Sequence, residues 1–210
     1  MLSDLLAFLF FVNVVVAGLG TSAVAAFMSV IQLSSVAFMP SFALASAGAI
    51  LVGQAIGAAR TDEVPGLVRT TFLAAAGWQA LAGVLYLVAP ELLLAPFARD
   101  PASAAPLLEV ATRMLRLSVA WALFDAAAAT VSEALRAAGD TAWPLWARVA
   151  VAWMVFAPGS WFTVPRAGER ADLVAVGWMV LYLGLLAAAL TLRFRSGAWR
   201  RIVLVEEARP

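Results

Sequence analysis

The sequence of 210 residues has no cysteine, no histidine and no lysine, and only 13% of its residues are charged. The first two absences exclude disulfide frameworks, zinc sites built on sulfur or imidazole, and nucleophile–base pairs that use Cys or His. A soluble domain has about 25% charged residues. Because 64% of this chain is apolar, the composition indicates an integral membrane protein.

The charged residues are also unevenly distributed. No Asp, Glu, Lys or Arg occurs between Asp4 and Arg60. Since about 20 helical residues cross a hydrocarbon core about 30 Å thick, this run predicts two membrane spans and a turn. Gly18 and Gly20 lie where the turn is expected.

Gly, Pro and charge clusters divide the chain into six apolar segments. The predicted fold class is an all-α integral membrane protein with six transmembrane helices, in one domain over residues 1–210. The first segment is short for a full crossing. The arginine-rich tail is predicted to be cytoplasmic by the positive-inside rule, in a multi-pass protein of the cell (inner) membrane. The segments cover approximately residues 2–19, 23–58, 67–89, 106–137, 143–162 and 173–192, followed by the tail, 193–210.

Small residues recur every four positions in the second segment. Small side chains let helices approach closely inside a membrane, so these positions predict a helix-packing ridge. A phosphate-binding loop at the two glycines is the alternative, but it lacks the preceding strand and the GKS or GKT sequence. The ridge consists of Ser41, Ala45, Ala49, Gly53 and Gly57.

Asp125 is the most informative polar residue, because it lies within an apolar segment. An ionised carboxylate at that depth costs about 2.5–3.5 kcal/mol on insertion scales, so it is expected to face the bundle interior or a watery cavity. Ser118 and Ser132 lie seven residues to either side, and Trp121 lies one turn before Asp125. This pattern predicts a polar stripe lining a cavity. The alternative is a carboxylate that only hydrogen-bonds neighbouring helices.

Two other charged residues have apolar surroundings. Asp4 precedes the charge-free run and either faces the bundle or is solvated at the interface, where it would favour a helix start. Arg148 lies near the start of the fifth segment and either extends to the membrane interface or pairs with Asp140.

Four strings resemble the carboxyl-terminal lobe of multidrug and toxic compound extrusion (MATE) transporters. Their order and spacing match as well, over nearly the whole chain. The strings are LVGQAIGA at 51–58, Phe124-Asp125, LRAAGDT at 135–141 and RFRSGAWR at 193–200.

The resemblance implies a cation-coupled exporter of drugs or other xenobiotics, not an enzyme. Twelve helices in two six-helix lobes would enclose a central cavity, and this chain would supply helices seven to twelve. Asp125 and Asp4 then correspond to cation-coupling acids of the tenth and seventh helices. The coupling ion is expected to be H⁺ or Na⁺, with Na⁺ bound at Asp125, and no other cofactor is expected.

The resemblance also implies partners. They are the lipid bilayer, small lipophilic cations as substrates, and either the missing amino-terminal lobe or a second copy of the chain. No basic patch outside the tail favours nucleic acid. A fragment, a truncated reading frame and a half-transporter that pairs are all compatible with the missing lobe.

Two other functions are considered. The first is an inactive or accessory membrane subunit without transport of its own. The second is an intramembrane aspartyl protease, but Ala137-Ala138-Gly139-Asp140 lacks the first glycine of the GxGD signature.

Overall fold

The computed structural model describes residues 2–98 and 101–202, with side chains for residues 5–98 and 104–202. The regular secondary structure of these ranges is helical, which confirms the all-α fold class. The α-helices are α1 (Leu2–Phe10), α2 (Thr21–Gly57), α3 (Val64–Val88), α4 (Pro90–Leu94), α5 (Pro101–Ala137), α6 (Ala142–Ala150), α7 (Ala157–Thr163) and α8 (Ala171–Arg195).

Non-α helical turns extend two of these helices. The π-helical segment Phe11–Val16 and the 3₁₀ turn Ala17–Leu19 continue α1, while Val151–Phe156 joins α6 to α7. Gly20 ends the first helical run with a φ of 100°, a conformation that favours glycine. The chain therefore turns at Gly20, in the region where the sequence predicted a turn.

Five helical runs of the described ranges are long and apolar enough to cross a bilayer. The run Leu5–Leu19 is apolar but shorter, about 23 Å against a core of about 30 Å. The chain is therefore a multi-pass membrane protein. The five longer runs are Thr21–Gly57, Thr61–Val88, Ala104–Ala137, Ala142–Arg166 and Gly168–Arg195.

Helix α5 lies at the centre of the packing and carries Asp125. It packs along α2, α8 and α3. Helices α2 and α5 have 37 residues each, so each is about 55 Å long and exceeds the hydrocarbon core. Because consecutive spans alternate in direction, α2, α5 and α8 run the same way across the bilayer. The carboxylate of Asp125 is thus carried by a helix enclosed by three others.

Two ion pairs hold α8 in place near its two ends. Near its start, an Asp172 carboxylate oxygen lies 3.0 Å from a guanidinium nitrogen of Arg113 on α5. Near its end, the Arg193 Nε donates to the Asp140 carboxylate at 2.7 Å, and Asp140 is buried. Asp140 therefore pairs with Arg193, which decides against the interpretation that pairs it with Arg148.

The packing ridge predicted on α2 is wrong in its carboxyl-terminal half. Ser41 and Ala45 are buried, but Ala49 is only partly buried, and an added Cβ at Gly53 or Gly57 would meet no atom within 4 Å. Four residues overshoot a helical turn by about 40°, so a strict four-residue repeat rotates away from its neighbour. The buried face follows alternating steps of three and four residues, through Ser41, Ala45, Gly48, Val52 and Ala55.

Gly48 is the position of close approach. A Cβ there would overlap the side chain of Thr71 on α3. The hydroxyl of Thr71 donates to the carbonyl of Leu67 on its own helix, at 2.9 Å. The absence of a side chain at Gly48 therefore lets α2 and α3 pack against each other.

We expect Gly48→Ala to destabilise the fold by about 1–3 kcal/mol, because overpacking forces neighbouring side chains or backbone to shift. Gly53→Ala is the matched control, since its methyl group meets open space and alanine favours a helix over glycine by about 0.5–1 kcal/mol. The measurement is unfolding of the purified chain in detergent. Equal stability of the two variants would contradict the assigned contact.

Candidate functional site

A cavity of about 230 Å³ lies among α2, α3, α5 and α8. Its walls come from the middle of these helices, so it lies inside the membrane-spanning part of the bundle. Apolar side chains such as Ala122, Met179 and Leu183 form part of the lining. The polar and aromatic lining consists of Ser34, Phe38, Gln79, Tyr86, Trp121 and Asp125.

Asp125 and Trp121 reach this cavity from consecutive turns of α5. Trp121 is buried, and Asp125 is half-buried. Within residues 2–98 and 101–202, the Asp125 carboxylate makes no hydrogen bond or ion pair. The charge of Arg148 on α6 acts on it electrostatically. The cavity thus contains an acid whose oxygens are available to a cation or a proton.

The sequence pattern placed four residues on one stripe, but only these two line the cavity. Ser118 is buried and donates to the carbonyl of Leu115 at 2.6 Å, and Ser132 is buried further along α5. Seven residues return a side chain to the same face but move it about 10 Å along the axis. One face of a long helix therefore meets different neighbours at different depths.

Asp4, the other acid singled out in the sequence, belongs to the backbone of α1. Its side chain lies outside the described side chains. The cation-coupling role assigned to it therefore stays a prediction.

Two polar side chains of the cavity were missed in the sequence. Gln79 on α3 is only 3% exposed, and its Oε1 has no hydrogen-bond partner among the described residues. The Oγ of Ser34 on α2 is likewise buried and unpartnered in the described part of the chain. The available signal was a polar residue in the middle of an apolar span, which is costly unless it is partnered.

Helix α3 also hydrogen-bonds α2 beside the cavity. Trp78 Nε1 donates to the Ala37 carbonyl at 2.8 Å, and the Tyr86 hydroxyl donates to the Leu33 carbonyl at 2.9 Å. Both carbonyls lie in the turns before Pro40, which lacks an N–H and crowds the preceding turn. Side-chain donors from α3 thus attach α2 to α3 just before its proline.

Comparison with known proteins identifies the family. The family model MatE matches residues 5–162, more than half of the chain. The chain belongs to the MATE family of transporters. This confirms the resemblance found in the sequence, and it places the protein among membrane transporters of the multidrug efflux type rather than among enzymes.

Curated relatives of this MATE chain include proteins named probable multidrug resistance protein NorM. The protein from Thermotoga maritima is 26% identical over 95% of this chain and 42% of its own length. The one from Caulobacter vibrioides is 31% identical, over 93% of this chain and 41% of its own. The one from Aromatoleum aromaticum is 32% identical, over 77% and 35%. The MATE chain thus spans about two fifths of the length of these relatives.

We expect Tyr86→Phe to lower the free energy of unfolding of this MATE chain by about 0.5–1.5 kcal/mol, because only the hydrogen bond to Leu33 is lost while the ring is kept. The measurement is denaturant unfolding in detergent micelles. A free energy of unfolding equal to that of the wild type would show that this hydrogen bond adds no stability.

Proposed function

We propose that this chain forms one lobe of a cation-coupled antiporter that exports drugs or other xenobiotics, and that Asp125 is its coupling residue. The observation that carries the proposal is the unpaired Asp125 carboxylate in a cavity at the middle of the spans. Intramembrane acids are costly, and they mark ion and proton pathways in transporters. Family membership and the names of the NorM relatives support the multidrug part of the proposal.

The proposed mechanism is competition between two conformations of the transporter. Burial disfavours the charged form of a carboxyl group, so Asp125 takes up a proton or a sodium ion when its cavity opens to the side rich in that ion. The bound cation stabilises one conformation through its differential affinity, and a lipophilic cation in the central cavity stabilises the other. Exchange follows, because each ligand favours the state that releases its competitor.

The cavity volume supports a division between ion and drug sites. Drug-sized ligands occupy pockets of about 300–1,000 Å³, whereas the cavity around Asp125 measures about 230 Å³. The exported molecule is therefore assigned to the space between two lobes, and the coupling ion to this lobe. Asp4 stays a second proposed coupling residue.

The proposal requires a partner for this lobe. Either an amino-terminal lobe or a second copy of this chain would supply the other wall of the drug cavity. The alternative is a membrane subunit that has no transport of its own, which is favoured by the coverage of only about two fifths of the relatives.

The coupling role is tested by Asp125→Asn in a full-length transporter that contains this lobe. The amide keeps the size of the side chain but cannot take up and release a proton or supply a negative charge. We expect efflux driven by a proton or sodium gradient to fall to background in proteoliposomes, while the variant still inserts. Efflux at the wild-type rate would remove Asp125 from the mechanism.

The requirement for two walls is tested with the isolated chain. We expect proteoliposomes that contain only its monomer to show no gradient-driven efflux of a fluorescent lipophilic cation, and efflux to appear when the complementary lobe is co-reconstituted. Efflux from the monomer alone would contradict the two-lobe requirement. Continued absence of efflux with the complementary lobe would favour the non-transporting subunit.

A further inference from the structure

Two unpartnered oxygens share the cavity with Asp125. The Oε1 of Gln79 and the Oγ of Ser34 are both buried without a hydrogen-bond partner among the described residues, and both side chains line the cavity. A buried polar atom without a partner costs about 1–3 kcal/mol. The two atoms come from different helices, α3 and α2, while the carboxylate comes from α5. Three helices thus direct oxygen-bearing side chains to one small space.

Neighbouring polar groups show that this arrangement is selective. The hydroxyl of Ser35, next to Ser34, donates to the Ile31 carbonyl at 2.8 Å and is therefore satisfied within its own helix. The hydroxyl of Tyr86 is satisfied by Leu33. Among the described polar groups of the lining, Ser34 and Gln79 are thus distinguished by oxygens that still need a partner.

The charge of the site limits what it takes. Asp125 is the carboxylate of the described lining, and no group of three or more acidic or other ligating residues that suits a metal ion occurs in the described ranges. One negative charge neutralises a monovalent cation, whereas a divalent ion would leave an uncompensated charge in a low-dielectric interior. Carboxylate, amide and hydroxyl oxygens are the hard donors that replace the water of a small cation.

We propose that Gln79 and Ser34 are cation ligands which complete, with Asp125, an oxygen-lined site for a partly dehydrated monovalent cation. This inference rests on the proposed function, because it assigns ligands to the same coupling site. Their two oxygens favour a metal cation such as Na⁺ over a proton, since a proton on Asp125 needs no further coordinating oxygens. Arg148 is the positive charge that the bound cation displaces electrostatically from Asp125.

The test measures ²²Na⁺ binding to the purified full chain in detergent, with choline chloride holding the ionic strength constant. Gln79→Met keeps the length of the side chain but removes its oxygen, and Ser34→Ala removes a single hydroxyl. We expect each to weaken Na⁺ binding about tenfold or more, because a hydrogen-bonding or ligating contact to a charged group is worth about 1.4 kcal/mol or more. Asp125→Asn should abolish binding.

Matched controls are present in the chain. Ser35→Ala removes a hydroxyl that is already satisfied by its own helix, and Gln54→Met changes an exposed glutamine of α2. We expect both to bind Na⁺ like the wild type. Thermal unfolding in choline chloride identifies variants that have lost the fold, and if Gln79→Met is among them, Ser34→Ala decides.

The outcomes separate this inference from the proposed function. Wild-type binding in Ser34→Ala and Gln79→Met, together with lost binding in Asp125→Asn, would overturn the ligand assignment and leave Asp125 as the coupling residue. Absence of Na⁺ binding to the wild type would overturn the sodium site, while proton-driven efflux that depends on Asp125 would still support the proposed function. Equal weakening by Ser35→Ala would also overturn the assignment, because it would indicate a structural effect of the helix.

Discussion

A carboxylate near the middle of the lipid hydrocarbon is the constraint on which the rest of this lobe depends. Asp125 must either be neutralised or face polar atoms, because its charged form is costly in a medium of low dielectric constant. The bundle meets this need by enclosing α5 between α2, α3 and α8. A small polar cavity forms around the acid, lined by side chains from three of these helices.

The rest of the lobe is tied together around that cavity. Ion pairs attach α8 to α5 near one end and to the α5–α6 connection near the other. Gly48 allows α2 to contact α3, and Trp78 and Tyr86 attach the two helices near Pro40. These contacts favour movement of the lobe as one body, so that occupancy of the ion site can influence a distant interface between lobes. The unsatisfied groups lie in the cavity, where a bound ion would satisfy them.

The identity of the ligand in the cavity has consequences for selectivity. A site that only transfers protons needs an acid, but Gln79 and Ser34 supply oxygens that a proton does not require. Their burial is unfavourable in an empty site, and this cost is recovered when a cation binds. The lobe is therefore described best as an ion-binding body whose drug-binding surface faces a partner.

The sequence by itself determined the membrane class, the apolar spans, the importance of Asp125 and the family, because long charge-free runs and an isolated intramembrane acid have few physical explanations. It did not determine which side chains meet. The small-residue ridge failed beyond Ala45, since helical phase drifts with a four-residue repeat, and Ser118 and Ser132 share a face with Asp125 but lie at other depths. Gln79 and Ser34 join the site only through packing of α2 and α3 against α5. Contacts between distant segments depend on relative rotation and depth of helices, and only the tertiary structure decides these.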